Sequence, residues 1–219
     1  RLKSATRRGY SLFHMDDPFH DRALTLRRAY FYPFWRIENS AQRWEWDIAK
    51  ATFDPGGIDG TEARAFCDTW RHRLFGDAAT TPVQEGFIYI PLQGRLLERR
   101  SFQSASPIRM IETALAQDPA RRAVVGFHPA ELYTPEETRA VEAMVTRVPR
   151  LSVGTMAMHD LLRTCDYVVT QNSSVALNGY FFRKPAVLFA KIDFHHISAN
   201  TPPRAVSEAF DRVRTMTPE

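Results

Sequence analysis

The stretch Ala123-Val-Val-Gly-Phe-His-Pro129 opens the part of the chain that decides the fold. Two further stretches are similar to it, Tyr167-Val-Val-Thr-Gln-Asn-Ser-Ser174 and Ala186-Val-Leu-Phe-Ala190. Each is a short apolar run that stops at a small or polar residue, and helix-like segments lie between them. Strands of a parallel sheet that are buried on both faces and end at a ligand crevice have this pattern. We therefore predict a parallel sheet whose functional residues directly follow its strands.

Strands alternate with helices over residues 86–219. The apolar runs predict five strands, at residues 87–93, 123–127, 151–154, 167–170 and 186–190. Helical segments are predicted at residues 107–117, 134–147, 158–165 and 173–182, with a closing helix at 205–216. Connections of this length imply right-handed crossovers. The predicted fold class is therefore α/β, with a Rossmann-like, doubly wound parallel sheet.

Residues 1–80 form a separate region that is rich in aromatic side chains, most densely in Tyr30-Phe-Tyr-Pro-Phe-Trp35. Leu24, Leu26, Tyr30 and Phe31 are spaced roughly as the residues on one face of a helix. Residues 61–75 have the pattern of an amphipathic helix. We expect a mainly helical region, joined to the sheet domain by a linker at residues 76–86. Two roles for the aromatic side chains remain open: a platform for sugar rings, or a packing surface for another domain or subunit.

Composition and charge limit the class of protein. The net charge of +4 suits either a solvated basic surface or affinity for anions such as sugar phosphates and nucleotides. We find no zinc spacing, RNA-binding motif or basic helix with interleaved aromatics, so we expect no nucleic-acid partner. No apolar run approaches the roughly 18 residues that would cross a membrane.

The cysteines and the start of the chain bear on its compartment and processing. Cys67 and Cys165 are far apart in apolar surroundings, which predicts buried thiols and a reducing cytoplasm. The chain begins at Arg1 without Met, so we expect a processed or trimmed product. Its first residues are basic, with Arg1, Lys3, Arg7 and Arg8.

Two clusters of acids and histidines are candidates for a metal site or for acid–base chemistry. The first is His14, Asp16, Asp17, His20 and Asp21, and the second is Asp193, His195 and His196. In the first, Asp17 and His20 are the candidates for a general base, although a turn and a helix cap explain the same residues. Adjacent histidines point apart, so the second cluster fits a loop that contacts a ligand. We predict no metal ion and no cofactor.

Two polar turns follow predicted strands and are the candidates for ligand binding. In His128-Pro129, the imidazole can donate to a phosphate oxygen or act as an acid or base. In Gln171-Asn-Ser-Ser174, Asn172 or Ser173 caps a helix whose first N–H groups can bind an anion. A structural histidine and ordinary capping remain open as alternatives. Together, the two turns suit the phosphate of a nucleotide.

Three common motifs of other α/β enzymes are absent from the sequence. The glycine-rich dinucleotide fingerprint and the Walker motif are missing, which argues against a nicotinamide enzyme or a P-loop ATPase. The Gly-x-Ser-x-Gly elbow is also missing, which argues against a serine hydrolase.

Four motifs carry a resemblance to a known family. They are Pro91-Leu-Gln93, Phe127-His-Pro129, Asp166-Tyr-Val-Val-Thr-Gln-Asn-Ser-Ser174 and Lys184-Pro-Ala-Val-Leu188. They resemble motifs of the capsule polysaccharide biosynthesis and export glycosyltransferases, which include Kdo-transferase-like proteins with a GT-B fold. Bacterial sialyltransferases of GT-B type also carry a His-Pro and a Ser-Ser or Ser-Thr motif, which hold a CMP-sugar. The resemblance covers about residues 86–200, the donor-binding half of such an enzyme.

The resemblance implies roles for individual residues. His128 would contact the donor phosphate, and Ser173 and Ser174 would bind it from the helix N-terminus. Asn178 stands where many GT-B proteins have a Glu that grips the donor ribose, and Gly126-Phe127 replaces a Lys that often precedes His-Pro. The implied substrate-binding residues are Gln93, His128, Pro129, Gln171, Asn172, Ser173, Ser174 and Asn178.

The resemblance implies a glycosyltransferase of surface polysaccharide assembly that binds a nucleotide-activated sugar, with a CMP-sugar as a candidate donor. The acceptor would be a glycan or a lipid-linked molecule, and the protein would act in the cytoplasm or at the inner face of the membrane. Residues 1–80 would be a shortened acceptor-side domain and a surface for oligomer formation. Two alternatives remain open: a non-catalytic module that binds a glycan or nucleotide-sugar, and another sugar-phosphate enzyme such as an epimerase.

Overall fold

The computed structural model describes residues 8–79 and 81–217, so the basic residues 1–7 noted above lie outside the described residues. The chain divides into two compact units. The smaller unit is Arg1–Phe53 with Ile192–His196, and the larger is Asp54–Lys191 with Ile197–Glu219. The division therefore falls before the helix predicted at residues 61–75, and not at the linker 76–86.

A three-stranded sheet forms the smaller unit. β1 (Ser11–His14) pairs in parallel with β2 (Ala23–Arg28), which pairs antiparallel with β3 (Trp35–Glu38). The helical spacing noted around Leu24 does not form a helix. Along β2, Ala23 and Thr25 are buried while Leu24 and Leu26 are half-buried, which is the two-residue alternation of a strand. One short helix, Asp47–Lys50, follows the sheet.

Trp46 is at the centre of the core of the smaller unit. Its side chain is 1% exposed, and its indole N–H donates to the Ser40 carbonyl at 2.9 Å. The Arg43 guanidinium lies 5.0 Å from the Trp46 ring centroid and 4.1 Å from that of Tyr30, a cation–π arrangement. Tyr32, by contrast, is 69% exposed. The aromatic region is therefore part core and part surface.

The larger unit is built on a six-stranded parallel sheet. Its strands are β4 (Phe87–Pro91), β5 (Arg122–Gly126), β6 (Leu151–Val153), β7 (Tyr167–Thr170), β8 (Ala186–Leu188) and β9 (Ala199–Asn200). They lie in the order β6-β5-β4-β7-β8-β9, and every neighbouring pair is parallel. The predicted doubly wound sheet is confirmed, with all five predicted strands present. β9 is a sixth strand that the sequence did not predict.

The six α-helices described in the larger unit are Gly60–Phe75, Pro107–Gln117, Pro135–Arg147, Met158–Thr164, Ser174–Phe181 and Val206–Thr215. A side chain caps the N-terminus of four of them, the exceptions being Met158–Thr164 and Val206–Thr215. Thr134 caps its helix as predicted, in a reciprocal capping box with Glu137. Gly76 ends the first helix with a φ of 53°, a left-handed conformation that glycine adopts without strain.

The core of the larger unit lies between the sheet and its helices. Side chains that are fully buried come from the strands and from the faces of the flanking helices, among them Ile88, Ile90, Val125, Val169, Val187, Met110, Ile111, Val141 and Phe210. β4, β7 and β8 are buried along their whole length, as their apolar runs indicated. β5 differs from the prediction, because buried residues alternate with more exposed ones along it. None of the helices in the described part of the chain is long and apolar enough to span a membrane.

Candidate functional site

The carboxyl ends of β4 and β7 form the topological switch point of the sheet. From β4 the chain continues to β5 and β6 on one side, and then returns to β7, β8 and β9 on the other. Ligands of open α/β sheets bind at such a point, outside the carboxyl ends of the strands. Gln93 follows β4 and Asn172 follows β7, and the Asn172 backbone N–H donates to Gln93 Oε1 at 3.4 Å. The structure thus brings these two predicted residues together.

His128 and Pro129 follow β5, which is the neighbour of β4 on the other side. Both residues are exposed. His128 Nδ1 accepts a hydrogen bond from the Ala130 N–H at 3.2 Å, so the neutral ring carries its proton on Nε2. The His128 N–H donates to the Tyr133 hydroxyl at 2.9 Å, which holds the turn in place. An exposed Nε2–H is a donor that an anionic ligand can use.

Ser173 and Ser174 begin the helix Ser174–Phe181. Of the two cap candidates in the sequence, Ser173 is the one used. It is buried, and its hydroxyl accepts from the Val175 N–H at 3.2 Å. Ser174 is exposed, and its hydroxyl makes no hydrogen bond among the described residues. The exposed hydroxyl and the positive end of the helix dipole are the features that favour an anion.

Gln171 lies at the end of β7 and is 1% exposed. Its Nε2 donates to the Ala105 carbonyl at 3.0 Å. Thr170, just before it, donates from its hydroxyl to the Pro91 carbonyl at 3.0 Å and so ties β7 to β4. The Gln171 side chain thus anchors the loop that follows β4. Its role in ligand binding stays a prediction.

Asn178 lies in the second turn of the helix Ser174–Phe181 and is half-buried. Its Nδ2 lies 3.6 Å from the Met158 sulfur, and its Oδ1 is buried without a hydrogen-bond partner among the described residues. A neutral amide fits beside a thioether, where a carboxylate would lose its hydration without a counter-charge. The neutral side chain of Asn178 is therefore less costly at this position than a glutamate carboxylate would be.

Glu131 is a residue near the crevice that the motif-based prediction missed. A Cβ added at Gly94 would lie 2.6 Å from Glu131 Oε2, so the carboxylate lies against the backbone after β4. Glu131 also raises the pKa of Arg100, although burial has the larger effect and lowers it. The only sequence signal for Glu131 was its position three residues after His128.

One member of the first candidate metal cluster and two members of the second have other partners in the smaller unit. Asp17 Oδ1 accepts from the Ala41 N–H at 2.6 Å, which is the turn-type role considered above. Asp193 accepts from the Tyr30 hydroxyl and pairs with Arg43, and burial raises the pKa of its carboxyl. His196 Nε2 lies 2.8 Å from the Ile48 carbonyl. Over the described residues, no group of three or more His, Cys, Asp or Glu side chains could hold a metal ion.

The three turns that carry the candidate residues are side by side at one edge of the sheet. Parallel strands are about 4.8 Å apart, so the ends of β5 and β7, which flank β4, lie about 10 Å apart. The turn that carries His128 and the helix end at Ser174 lie on either side of the turn that carries Gln93. The arrangement can therefore hold an anionic group between two kinds of donor.

Two solved structures share the fold of this chain. KpsC β-Kdo 2,7 transferase of Thermosulfurimonas dismutans has a TM-score of 0.58 at 12% identity, covering 97% of this chain and 78% of that chain. The β-Kdo 2,4 transferase of the same organism's KpsC has a TM-score of 0.52 at 14% identity, covering 87% of this chain and 71% of that chain. No family model and no curated protein sequence matches the chain. The fold expected from the resemblance is confirmed.

Proposed function

We propose that this chain is a glycosyltransferase-like protein of surface polysaccharide biosynthesis that binds a nucleotide-activated sugar. The observation that carries the proposal is that Gln93, His128 and the Ser173–Ser174 helix end follow three adjacent strands, β4, β5 and β7, around the switch point of the sheet. Three of the motifs that resemble capsule glycosyltransferases end at this same edge, at Gln93, Pro129 and Ser174, and the two structures compared above are named as Kdo transferases. A CMP-sugar is the donor class that we propose.

The proposed reaction is a displacement at the anomeric carbon of the donor sugar. The acceptor hydroxyl forms the new glycosidic bond, and the bond to the nucleotide phosphate breaks. His128 Nε2–H and the helix end at Ser174 stabilise the negative charge that develops on the leaving phosphate. Asn172 and Gln93 hold the ends of β7 and β4 together beneath it. The acceptor, a glycan or a lipid-linked molecule, transfers its hydroxyl proton to a general base as the new bond forms.

A non-catalytic nucleotide-sugar or glycan binding module is the second candidate function. Asn178 favours it, because a neutral amide beside Met158 replaces the charged residue that many GT-B proteins use to grip the ribose. For both candidate functions, we propose that the protein acts in the cytoplasm or at the inner face of the membrane. We also propose that it forms oligomers through the exposed aromatic side chains of the smaller unit.

A thermal-shift titration tests nucleotide binding. Wild type is compared with His128→Ala and Ser174→Ala in the presence of CMP, UDP, GDP and their sugar conjugates. A ligand at 100 times its Kd stabilises the native state by about 2.7 kcal/mol. For a chain of this length, that raises the Tm by about 5–10 °C. We expect one nucleotide class to produce this shift and both variants to lose most of it.

The controls separate binding from folding. His72→Ala removes an exposed histidine on the helix Gly60–Phe75 and should leave the ligand shift unchanged. Ser174 is preferred to Ser173 because loss of the Ser173 cap would itself cost about 1 kcal/mol. The absence of any shift in a folded protein would refute the proposed donor site. Release of the nucleotide with transfer of the sugar, measured by mass spectrometry, would distinguish the enzyme from the binding module.

A further inference from the structure

A cavity of about 270 Å³ lies in the larger unit, at the edge of the sheet opposite to the proposed donor site. Its wall includes Arg121, just before β5, Tyr167 at the start of β7, and Pro185, just before β8. The helix Val206–Thr215 contributes Arg214. β7 is four residues long, so about 13 Å of strand separates the cavity from the proposed donor site. Pockets that bind small molecules measure about 300–1,000 Å³, so this cavity has room for one small ligand.

Three arginines line the cavity, and each comes from a different part of the fold. Arg121 precedes β5, and Arg183 follows the helix Ser174–Phe181. Arg214 lies in the last turn of the helix Val206–Thr215. One guanidinium is enough to bind the two oxygens of a planar carboxylate. Three guanidinium groups from separate elements suit a tetrahedral anion, which presents oxygens in several directions.

The carboxylates near the cavity already have partners. Asp166 accepts from Arg121 Nε at 2.5 Å, and Asp118 accepts from Arg121 Nη1 at 2.8 Å. Asp211 accepts from Arg214 Nη2 at 2.5 Å. Arg121 Nη2 and Arg214 Nε make no hydrogen bond to any residue that the structure describes. The hydrogen-bonding capacity left on these two side chains is therefore that of donors.

Arg183 has an unpaired guanidinium at a position where helices commonly have glycine. Its N–H donates to the Tyr180 carbonyl at 3.0 Å, and the Lys184 N–H donates to the Gly179 carbonyl at 2.8 Å, which is the Schellman motif. The φ of Arg183 is 56°, a left-handed conformation that costs free energy for any residue with a Cβ. The exposed side chain has no hydrogen bond or ion pair within the described part of the chain, the last carbonyls of the helix included. No contact there accounts for an arginine at this position.

The surroundings of the cavity carry an excess of positive charge. Behind the cavity wall, Arg150 Nη1 donates to the carbonyls of Asp118 and Arg121, and this arginine has no carboxylate partner among the residues described. With the three lining arginines, four guanidinium groups lie near three carboxylates. A phosphate monoester carries a charge of about −1.5 to −2 at pH 7 and three acceptor oxygens. It therefore matches both the excess charge and the unused donors.

We propose that this cavity binds a small phosphate monoester, of the size of a phosphorylated monosaccharide, through Arg121, Arg183 and Arg214. The phosphate oxygens accept from the Arg183 guanidinium and from the unused N–H groups of the other two arginines. Gln84 and Thr217 also line the cavity and are the polar groups available to the organic part of the ligand. The inference goes beyond the proposed function, because the cavity uses none of the donor-site residues and lies at the opposite edge of the sheet.

Isothermal titration calorimetry with glucose 6-phosphate and with glucose tests the site. We expect glucose 6-phosphate to bind and glucose, which lacks the phosphate, not to bind. Arg183→Gln should weaken binding of glucose 6-phosphate by about 10- to 100-fold, the size of a lost hydrogen bond between charged groups. Arg183 is chosen because Arg121 also holds buried carboxylates of the fold. Arg99→Gln removes the same charge from an exposed position at the other edge and should change nothing.

Arg183→Gly separates a ligand-binding role from a structural one. Glycine adopts the left-handed conformation without strain, so the Tm of the protein without ligand should not fall. Binding of glucose 6-phosphate should be lost as in Arg183→Gln. A lower Tm with binding retained would overturn the proposal, because Arg183 would then act through the fold alone.

Methionine methyl signals in a ¹H–¹³C spectrum locate the ligand. Met216 lines the cavity, whereas Met158 contacts Asn178 in the helix that begins at the proposed donor site. Glucose 6-phosphate should shift the Met216 signal and leave the Met158 signal in place. The opposite pattern would overturn the proposal.

The outcomes separate this inference from the proposed function. His128→Ala should keep the binding of glucose 6-phosphate, and Arg183→Gln should keep any nucleotide binding. Loss of glucose 6-phosphate binding in His128→Ala alone would place the ester in the donor site and overturn the second site. No binding of the ester would overturn it as well, whatever the nucleotides do. Sedimentation with phosphatidic acid vesicles that needs Arg183, without binding of glucose 6-phosphate, would assign the phosphate monoester to a lipid and overturn the small soluble ligand.

Discussion

Tyr167→Phe should destabilise the protein through the buried carboxylate of Asp118. Asp118 is 3% exposed and accepts from the Tyr167 hydroxyl and from Arg121 Nη1, both at 2.8 Å. Tyr167 is on β7, so the substitution removes one hydroxyl from the central part of the sheet without shortening the side chain. The carboxylate keeps the bonds from Arg121 but loses its only described hydroxyl donor.

The expected cost follows from the charge of the acceptor. A hydrogen bond to a charged group contributes about 1.5–3 kcal/mol, and the remaining Arg121 bonds place the loss near the lower end, at about 1.5–2 kcal/mol. For a chain of this length, each kcal/mol lowers the Tm by about 2–4 °C. We therefore expect the Tm of Tyr167→Phe to fall by about 3–8 °C at neutral pH.

The loss should depend on pH. Burial raises the pKa of Asp118, but the bonds from Tyr167 and Arg121 outweigh it, so that the pKa is lower than its ordinary value of 3.8. The pKa of Asp118 is lower in the folded state than in the unfolded state. Its carboxylate therefore stabilises the folded protein at pH values above the unfolded-state pKa. That contribution is lost as the pH falls through the folded-state pKa. The difference between Tyr167→Phe and wild type should therefore shrink in acid.

Urea unfolding followed by circular dichroism, repeated at neutral pH and in acid, measures this effect. Tyr89→Phe is the matched control, because Tyr89 is buried on the adjacent strand β4 and its hydroxyl makes no hydrogen bond among the described residues. The control should change stability by less than about 0.5 kcal/mol. Equal losses for the two variants, or a loss at Tyr167 that stays constant as Asp118 is protonated, would refute the reasoning.

Two further substitutions test how the larger unit is held together. Glu137→Ala removes the capping box and the acceptor for the Leu96 N–H, and should cost about 2–3 kcal/mol, whereas Glu136→Ala in the exposed first turn should cost far less. Comparable unfolding midpoints for the two would contradict the assigned role of Glu137. Gly154→Ala places a Cβ 2.8 Å from a valine methyl group and should cost about 1–3 kcal/mol, while Gly57 has open space and tolerates the same change. Denaturant titration measures the stability of both variants. An unchanged midpoint for Gly154→Ala would contradict the predicted clash, because it would mean that Val124 on β5 moves aside without cost.

The positions of several candidate site residues in the fold were predictable because these residues directly follow strands. His128 and Ser173 each come after an apolar run, and a run of that kind specifies both the strand and its end. Capping at Thr134 and Ser173 was predictable for a similar reason, since a cap acts within three residues of its own position. The pairing of Gln93 with Asn172 depends on strand order, which no local pattern specifies.

Other parts of the site carry little local signal. The sequence of the loop that contains Gln103 is basic and polar and indicates exposure to solvent, yet Gln103 is 5% exposed and forms a bridge with Ala190 just beyond β8. The sequence predicts that Gln171 lies in a turn, but the structure shows that its side chain is almost fully buried. Their burial results from contacts between residues that are far apart in the sequence. The side-chain composition of a loop says little about such contacts.

The sequence by itself determined the parallel strands, the helix caps and the polar turns, because these depend on the period of apolar residues and on hydrogen bonds between near neighbours. Only the tertiary structure decided the rest. β9 is two residues long and exists through its pairing with β8, and β1 to β3 form a sheet where the spacing suggested a helix. Ile192–His196 joins the smaller unit although it lies between β8 and β9 in the chain. Pairing across long separations is decided by the burial and hydrogen bonding of the whole fold, which no short stretch of sequence contains.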